Sequence, residues 1–266
     1  MRFYKPLLLS LLLCGSVASA ATLRLATTTS TANSGLLEQI LPEFENSSGY
    51  RVHVIAVGTG KALRMGEDGD VDVILVHARA AEEKFLAAGL GIDRKDVMHN
   101  DFVLVGPASD PAGIQGHTDA ALALAKISQG QQIFISRGDQ SGTHKKELSL
   151  WQASGSAHKG PWYREAGQGM GKVLQISDEL NAYTLVDRGT WLAYADKVQL
   201  RVLVEGDKRL FNPYGVIAVN PARHPDINYQ GAKAFSHWLT SAATQKRIGE
   251  FRIHGKNLFI PDAKQP

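Results

Sequence analysis

Residues 133–144 read Ile-Phe-Ile-Ser-Arg-Gly-Asp-Gln-Ser-Gly-Thr-His. Ile133, Phe134 and Ile135 predict a short strand that delivers the chain to Arg137. A tight Gly138-Asp139 turn follows, and Ser141-Gly142-Thr143 opens a helix predicted to run to Gln152. A helix N-terminus leaves backbone N–H groups unpaired and carries the positive end of the peptide dipole; hydroxyls add donors there. Such a place holds an anion. Arg137 brings a planar fork that pairs two oxygens of a tetrahedral anion at once. Its competing role is an ion pair with Asp139. More than a hundred residues upstream, Thr27-Thr28-Thr29-Ser30 forms a second hydroxyl-rich entry to a helix, and Gly58-Thr59-Gly60 repeats the arrangement after the next strand. Taken singly, the first is explained by helix capping and the second by an ordinary turn. Recurrence at successive strand ends favours a ligand, because in open α/β sheets those ends face the binding crevice.

Other chemistries fit the residues poorly. A nucleotide phosphate loop needs glycine, four residues, then Gly-Lys-Ser/Thr; around Gly60-Lys61 the flanking positions are Ile55 and Ala62. Gly58-Thr-Gly60 lacks the third glycine of a dinucleotide fingerprint. The nine histidines form no paired zinc motif. Ser141 and His144 suggest a nucleophile and a base, but they stand three apart on a helix start with no third orienting residue. Arg137-Gly-Asp139 also spells a cell-adhesion tripeptide, without any sign of a displayed loop. The expectation is binding without catalysis: no catalytic residue, no metal site and no cofactor.

Positioning these residues requires alternating strands and helices. Strands are predicted at Thr22–Ala26, Val52–Val57, Val71–Val76 and Phe102–Val105. Helices are predicted over Leu36–Phe44, with Pro42 as a possible kink, and over Lys61–Met65 and Ala80–Ala88. Repeated strand–helix units mean a mostly parallel sheet flanked by helices. Composition shifts to Gly, Pro, Asp and Ser near 107–117, which reads as a crossover into a second lobe. That lobe holds the Ile133–Ile135 strand, the helix from Gly142 and a loop rich in glycine (Gly167, Gly169, Gly171). A helix around Asp178–Arg188 and strands at Trp191–Tyr194 and Val202–Val204 complete it. Asn212-Pro213 before Tyr214–Val219 reads as the return crossover, after which Phe235, Trp238 and Leu239 pack back on the first lobe. The division is 21–107 plus 212–266 for lobe one and 108–211 for lobe two.

The first twenty residues read as a cleavable signal peptide. Arg2 and Lys5 precede an apolar run, Leu7–Leu13, and Ala18-Ser19-Ala20 offers a cleavage point after Ala20. Leu13 before Cys14 argues against lipidation. Cleavage removes the single cysteine, so no disulfide is expected. The 29 Lys and Arg against 26 Asp and Glu give a formal charge of +3; losing Arg2 and Lys5 leaves +1. No basic stripe with interleaved aromatics suggests nucleic acid, and no later stretch is apolar enough to cross a membrane.

Five segments together resemble the tungstate-binding proteins of bacterial ABC transporters. They are Ala26-Thr-Thr-Thr-Ser30, Val57-Gly-Thr-Gly-Lys-Ala62, Gly69-Asp-Val-Asp-Val73 with Leu75-Val-His77, Ser136-Arg-Gly-Asp-Gln-Ser-Gly-Thr-His144, and Ala182-Tyr-Thr-Leu185 with Asp187-Arg-Gly-Thr190. The resemblance implies an α/β, two-lobed periplasmic binding fold of type II, with two crossover strands as its hinge. It implies ligand contacts from Thr28, Thr29, Ser30 and Thr59 in lobe one, and from Arg137, Ser141, Gly142 and Thr143 in lobe two, with a further contact near Asn181. It also implies a periplasmic protein, monomeric by default, that delivers its anion to an inner-membrane permease driven by a cytoplasmic ATPase. Tungstate carries no proton at neutral pH and only accepts hydrogen bonds, which suits a wall of donors. Phosphate asks for a carboxylate to receive its proton; no Asp stands inside the hydroxyl-rich segments, although Asp139, Asp70 and Asp72 lie close in sequence, which disfavours phosphate. One Arg and three helix N-termini, at about +0.5 each, balance a dianion without a metal. The alternatives are the same fold binding molybdate or, less favoured, phosphate or sulfate; a secreted hydrolase; and a sensory domain for anion level.

Overall fold

A computed structural model of the chain describes residues 21–263; the expected signal peptide with its cleavage after Ala20, and Cys14, lie outside the described residues. In lobe one, strand and helix alternate as the apolar periodicity requires. β1 (Ala21–Thr28) leads into α1 (Thr29–Asn33) and α2 (Leu36–Ser48); β2 (Tyr50–Val57) into α3 (Thr59–Asp68); β3 (Val73–Val76) into α4 (Arg79–Ala87). β1 pairs in parallel with both β2 and β3. All four residues of β3 are buried. Val73 and Leu75 pack on one face of the sheet and Ile74 and Val76 on the other, so its sequence is an unbroken apolar run. Pro42 is carried inside α2 without interrupting it.

β4 (Gly91–Gly106) is far longer than the Phe102–Val105 strand that the sequence suggests. It is followed by α5 (Ala120–Gln129), β5 (Phe134–Ser136), α6 (Gly142–Ser154), β6 (Tyr163–Glu165), α7 (Met170–Glu179), β7 (Thr184–Asp187), α8 (Arg188–Tyr194) and β8 (Arg201–Val204). β9 (Phe211–Val219) returns beside β3, and α9 (Tyr229–Leu239), α10 (Ala242–Glu250) and the short β10 (Arg252–Ile253), β11 (Lys256–Asn257) and β12 (Ile260–Pro261) close the chain. β9 lies antiparallel between β3 and β4. From Gly91 to Asp101, β4 pairs with β9; from Phe102 to Gly106 it runs between β7 and β8. The strand changes partners at residues 101 and 102. A separate apolar cluster then forms around Phe102, Leu104, Phe134, Trp151 and Tyr183.

Two sequence expectations are corrected in this region. Trp191–Tyr194 is the end of helix α8, not a strand. Asp187 caps that helix by accepting from Thr190 N and Thr190 Oγ1 at 2.9 and 2.6 Å; a four-residue apolar run does not distinguish the two structures by itself. The helix expected around Asp178–Arg188 is instead the last two residues of α7, a reversal through Asn181 at φ 49°, strand β7 and the first residue of α8.

α6 carries a buried carboxylate under the strand end that leads to Arg137. Glu147 accepts hydrogen bonds from Ser136 Oγ at 2.8 Å, Tyr163 Oη at 2.8 Å and Trp151 Nε1 at 3.1 Å. Burial outweighs these donors and pushes the Glu147 carboxyl up to about 7. The folded protein therefore binds this proton more tightly than the unfolded chain. Its contribution to stability is complete below the ordinary carboxylate range and is lost as pH rises through about 7. The loss amounts to at most about 3 kcal/mol. Denaturant unfolding of the wild type and Glu147→Gln from pH 4.5 to 8 checks this. The wild type should lose stability relative to the variant across the interval; a difference that stays constant with pH would mean that Glu147 titrates normally.

Candidate functional site

A cavity of about 950 Å³ opens where the C-terminal ends of β1, β2 and β3 meet the N-terminus of α6. Thr28, Thr29, Ser30, Thr59, Arg137, Ser141, Gly142 and Thr143 all lie on its wall. Parallel pairing explains the lobe-one side. Thr28 stands level with Val57 of β2, and Thr27 with Leu75 of β3, so three strand ends reach one edge of the sheet together. Thr28 is extended and caps α1, accepting from Thr31 N at 3.2 Å. Its Oγ1 also shares a hydrogen bond with Thr31 Oγ1 at 2.6 Å and one with Ser30 Oγ at 3.1 Å. Gly58 caps α3 with no side-chain bond, which leaves the first N–H groups of that helix, beginning at Thr59, to water or ligand.

On the lobe-two side, Ser141 caps α6 and accepts from His144 N at 3.3 Å. The approach to it is tightly wound: Gly138 and Gln140 both have left-handed backbone, φ 62° and 60°. At Gly138 a Cβ would also sit 2.7 Å from Glu165 Cβ, so glycine is needed for space as well as for torsion. Gln140 N donates to His144 Nδ1 at 3.1 Å and fixes the turn. The ion pair weighed against an anion role for Arg137 is present: Nε donates to Asp139 Oδ2 at 2.8 Å, and Ser141 N donates to Asp139 Oδ1 at 3.1 Å. Burial raises the Asp139 carboxyl, but these donors outweigh it and hold the group below the usual range. Arg137 meets Asp139 through Nε alone, and its two terminal nitrogens are without a protein partner among the described residues.

The Ser141–His144 hydrolase reading loses its geometry here. Ser141 Oγ meets the backbone of His144 and not its ring, whose Nδ1 already accepts from Gln140 N. Neither Asn181 nor the glycines at 167, 169 and 171 reach the cavity. No cluster of metal-ligating side chains occurs among the described residues.

Several wall residues lie outside the contacts expected from the sequence. His77 follows β3 at the same level as the other strand ends, and Nε2 lies 3.1 Å from Thr28 Oγ1 and 3.3 Å from Ser30 Oγ. The rule that picked the hydroxyls, a polar residue just past a strand, applies to it equally. Lys146 donates from Nζ to the carbonyls of Arg209 and Phe211 at 3.0 and 3.1 Å, and burial lowers its pKa. Lys61, Lys84, Lys145 and Lys208 are exposed around the mouth and make no ion pair among the described residues.

A family model described as "PBP superfamily domain" matches residues 15–243. The chain is 54% identical over 243 residues to the tungstate-binding protein TupA of Peptoclostridium acidaminophilum, covering 90% of this chain and 85% of that one. Among solved structures it is similar to the tungstate-binding protein TupA of Desulfovibrio alaskensis G20, at 49% identity and a TM-score of 0.87, over 92% of this chain and 100% of that one. It is also similar to a structure described as the tungstate ABC transporter of Geobacter sulfurreducens, at 52% identity and a TM-score of 0.78, over 86% and 98% of the two chains.

Proposed function

Because the chain belongs to the periplasmic binding protein superfamily, in the family of the TupA tungstate-binding proteins, we propose that it captures tungstate outside the cytoplasm and hands it to the permease of an ABC transporter. It is a binding protein and not an enzyme. One observation carries the reading: hydroxyl and N–H donors from segments more than a hundred residues apart line one cavity with Arg137. A tetrahedral dianion without protons only accepts hydrogen bonds, and this wall supplies donors. Asp139 is the exception, and both of its oxygens are already occupied by Arg137 and Ser141.

The cavity is too large for a single ion. At about 30 Å³ for each water-sized group, a four-oxygen anion fills roughly 120 Å³, against about 950 Å³ here. Binding therefore includes closure of the two lobes, 21–107 plus 212–266 against 108–211. The change of partners along β4 supports the strands near 101 and 211 as the hinge. Residues 1–20 direct export to the periplasm, the closed form docks on the permease, and a cytoplasmic ATPase drives release.

Isothermal titration of the mature protein with tungstate, molybdate, sulfate and phosphate tests the ligand assignment, and a preference for phosphate would overturn it. Arg137→Ala should weaken tungstate binding by about 2–4 kcal/mol, or roughly 30- to 1000-fold. That variant also strands Asp139, so Arg137→Ala with Asp139→Ala separates loss of the guanidinium from exposure of a lone carboxylate. Affinity unchanged in both would remove Arg137 from the site. The lysines at the mouth make a second prediction. Stopped-flow association should slow with added salt, and Lys84→Gln with Lys208→Gln should lower the association rate several-fold at low salt without changing dissociation.

A further inference from the structure

His77 links the hydroxyl wall to the hinge strands. Its Nδ1 lies 2.9 Å from Asn212 Oδ1 on β9. The Asn212 amide is oriented by Nδ2, which donates to Asn100 Oδ1 on β4 at 2.8 Å. Its oxygen therefore faces His77, and the neutral imidazole keeps its proton on Nδ1. Nε2 is then an acceptor, and it accepts a hydrogen bond from the hydroxyl of Thr28 or Ser30, 3.1 and 3.3 Å away. With His77 neutral, one hydroxyl of the wall donates inward, away from the cavity.

A protonated ring reverses this. Nε2–H donates to the hydroxyl oxygen of Thr28 or Ser30, Thr28 can then donate to Ser30 Oγ, and the Ser30 proton turns toward the cavity. The wall gains one donor and one positive charge. Directly behind the hydroxyls this charge is new, because Asp139 offsets Arg137, Lys146 points to the carbonyls of residues 209 and 211 and the other lysines stand exposed at the mouth. Resting on the tungstate reading, we propose that His77 takes up one proton from solvent when the dianion binds, and so orients the hydroxyls of Thr28 and Ser30 onto it. The proton returns to solvent when the anion leaves. His77 is on this account a positioning residue for the ligand.

The surroundings of the ring agree. β1 and α1 face it with neutral hydroxyls. β9 contributes Asn212 and Tyr214, whose ring lies 4.7 Å away and whose phenol is pushed well up by burial, so it stays neutral. From α6, Gly142 approaches the edge of the ring. The charged groups that act on it are Lys146, which opposes its proton, and Asp187 at the end of β7, which favours it. Burial is the largest influence and lowers the pKa in the free protein, with the Asn212 bond opposing. A dianion across the hydroxyls acts in the other direction, so binding and protonation reinforce each other.

The test is calorimetric titration of the mature protein with sodium tungstate at pH 7, in buffers of different ionisation enthalpy and without phosphate. The wild type should take up about 0.5–1 proton per anion, and its affinity should fall by up to about tenfold per pH unit between pH 6 and 8. Tungstate stays fully deprotonated over that range. His77→Gln should bind without proton uptake and with little pH dependence. Nitrogen-15 NMR of the wild-type imidazoles provides a measurement that needs no variant: one ring should change from neutral to cationic on adding tungstate. Tight tungstate binding with no proton uptake, or uptake that persists in His77→Gln, would overturn the role of His77 and leave the tungstate reading standing. No tungstate binding by the wild type would overturn the tungstate reading itself.

Discussion

Stripping water from a doubly charged ion is the energetic demand around which this molecule is arranged. An unpaired buried charge costs far more than the whole stability of a domain, so each lost water contact must be replaced by a donor already in place. Flexible loops would have to be ordered at the moment of binding, which costs free energy. Donors fixed at strand ends and helix starts are ordered in advance. Parallel pairing of β1 with β2 and β3 brings Thr28, the start of α3 and His77 to one edge. The opposite wall is set by Ser141 and the left-handed residues before it. Helix capping and the cavity wall thus draw on the same residues: Thr28 and Ser141 complete helices and border the cavity as well.

The same constraint explains why polar contacts gather at the crossovers. Asn100 on β4 and Asn212 on β9 are buried and bonded to each other, and Asn212 meets His77. Lys146 of α6 reaches the carbonyls on either side of Leu210, where the chain returns to lobe one. Asn100, Asn212 and His77 lie on one side of the change of partners along β4, and Lys146 with residue 209 lies on the other.

Most of the donor wall is legible in the sequence because its signals are local. Ser, Thr and Gly after an apolar run report turn and cap chemistry wherever they occur. The segments that line the cavity from both sides are readable in that way without knowledge of the fold. Elements decided by distant partners are not. The first eleven residues of β4 hold Asp93, Arg94, Lys95 and Asp96, and they form a strand because β9 lies beside them. β12 has two residues and exists only against β4. The helix over Trp191–Tyr194 depends on a cap from Asp187, outside the apolar run. His77 fails for a related reason. A lone histidine after a strand has no spacing to interpret, and its meaning comes from Asn212, 135 residues later.

Asp139 shows how far residue type alone misleads at an anion site. A carboxylate near the ligand suggests an acceptor for a protonated guest such as hydrogen phosphate. Here its two oxygens face Ser141 N and Arg137 Nε, at 3.1 and 2.8 Å. It holds the guanidinium in a defined plane before any anion arrives, so the two terminal nitrogens need not be ordered during binding. The cost is electrostatic, because the pair has no net charge. Helix N-termini supply only partial charges, and α1 is five residues long. A protonated guest arrives with a smaller charge deficit to fill and without a free acceptor for its proton. A bare dianion needs no acceptor but leaves a larger deficit. The lysines at the mouth supply part of that charge, and a titratable ring behind the hydroxyls would add to it at the point where the ion meets the wall.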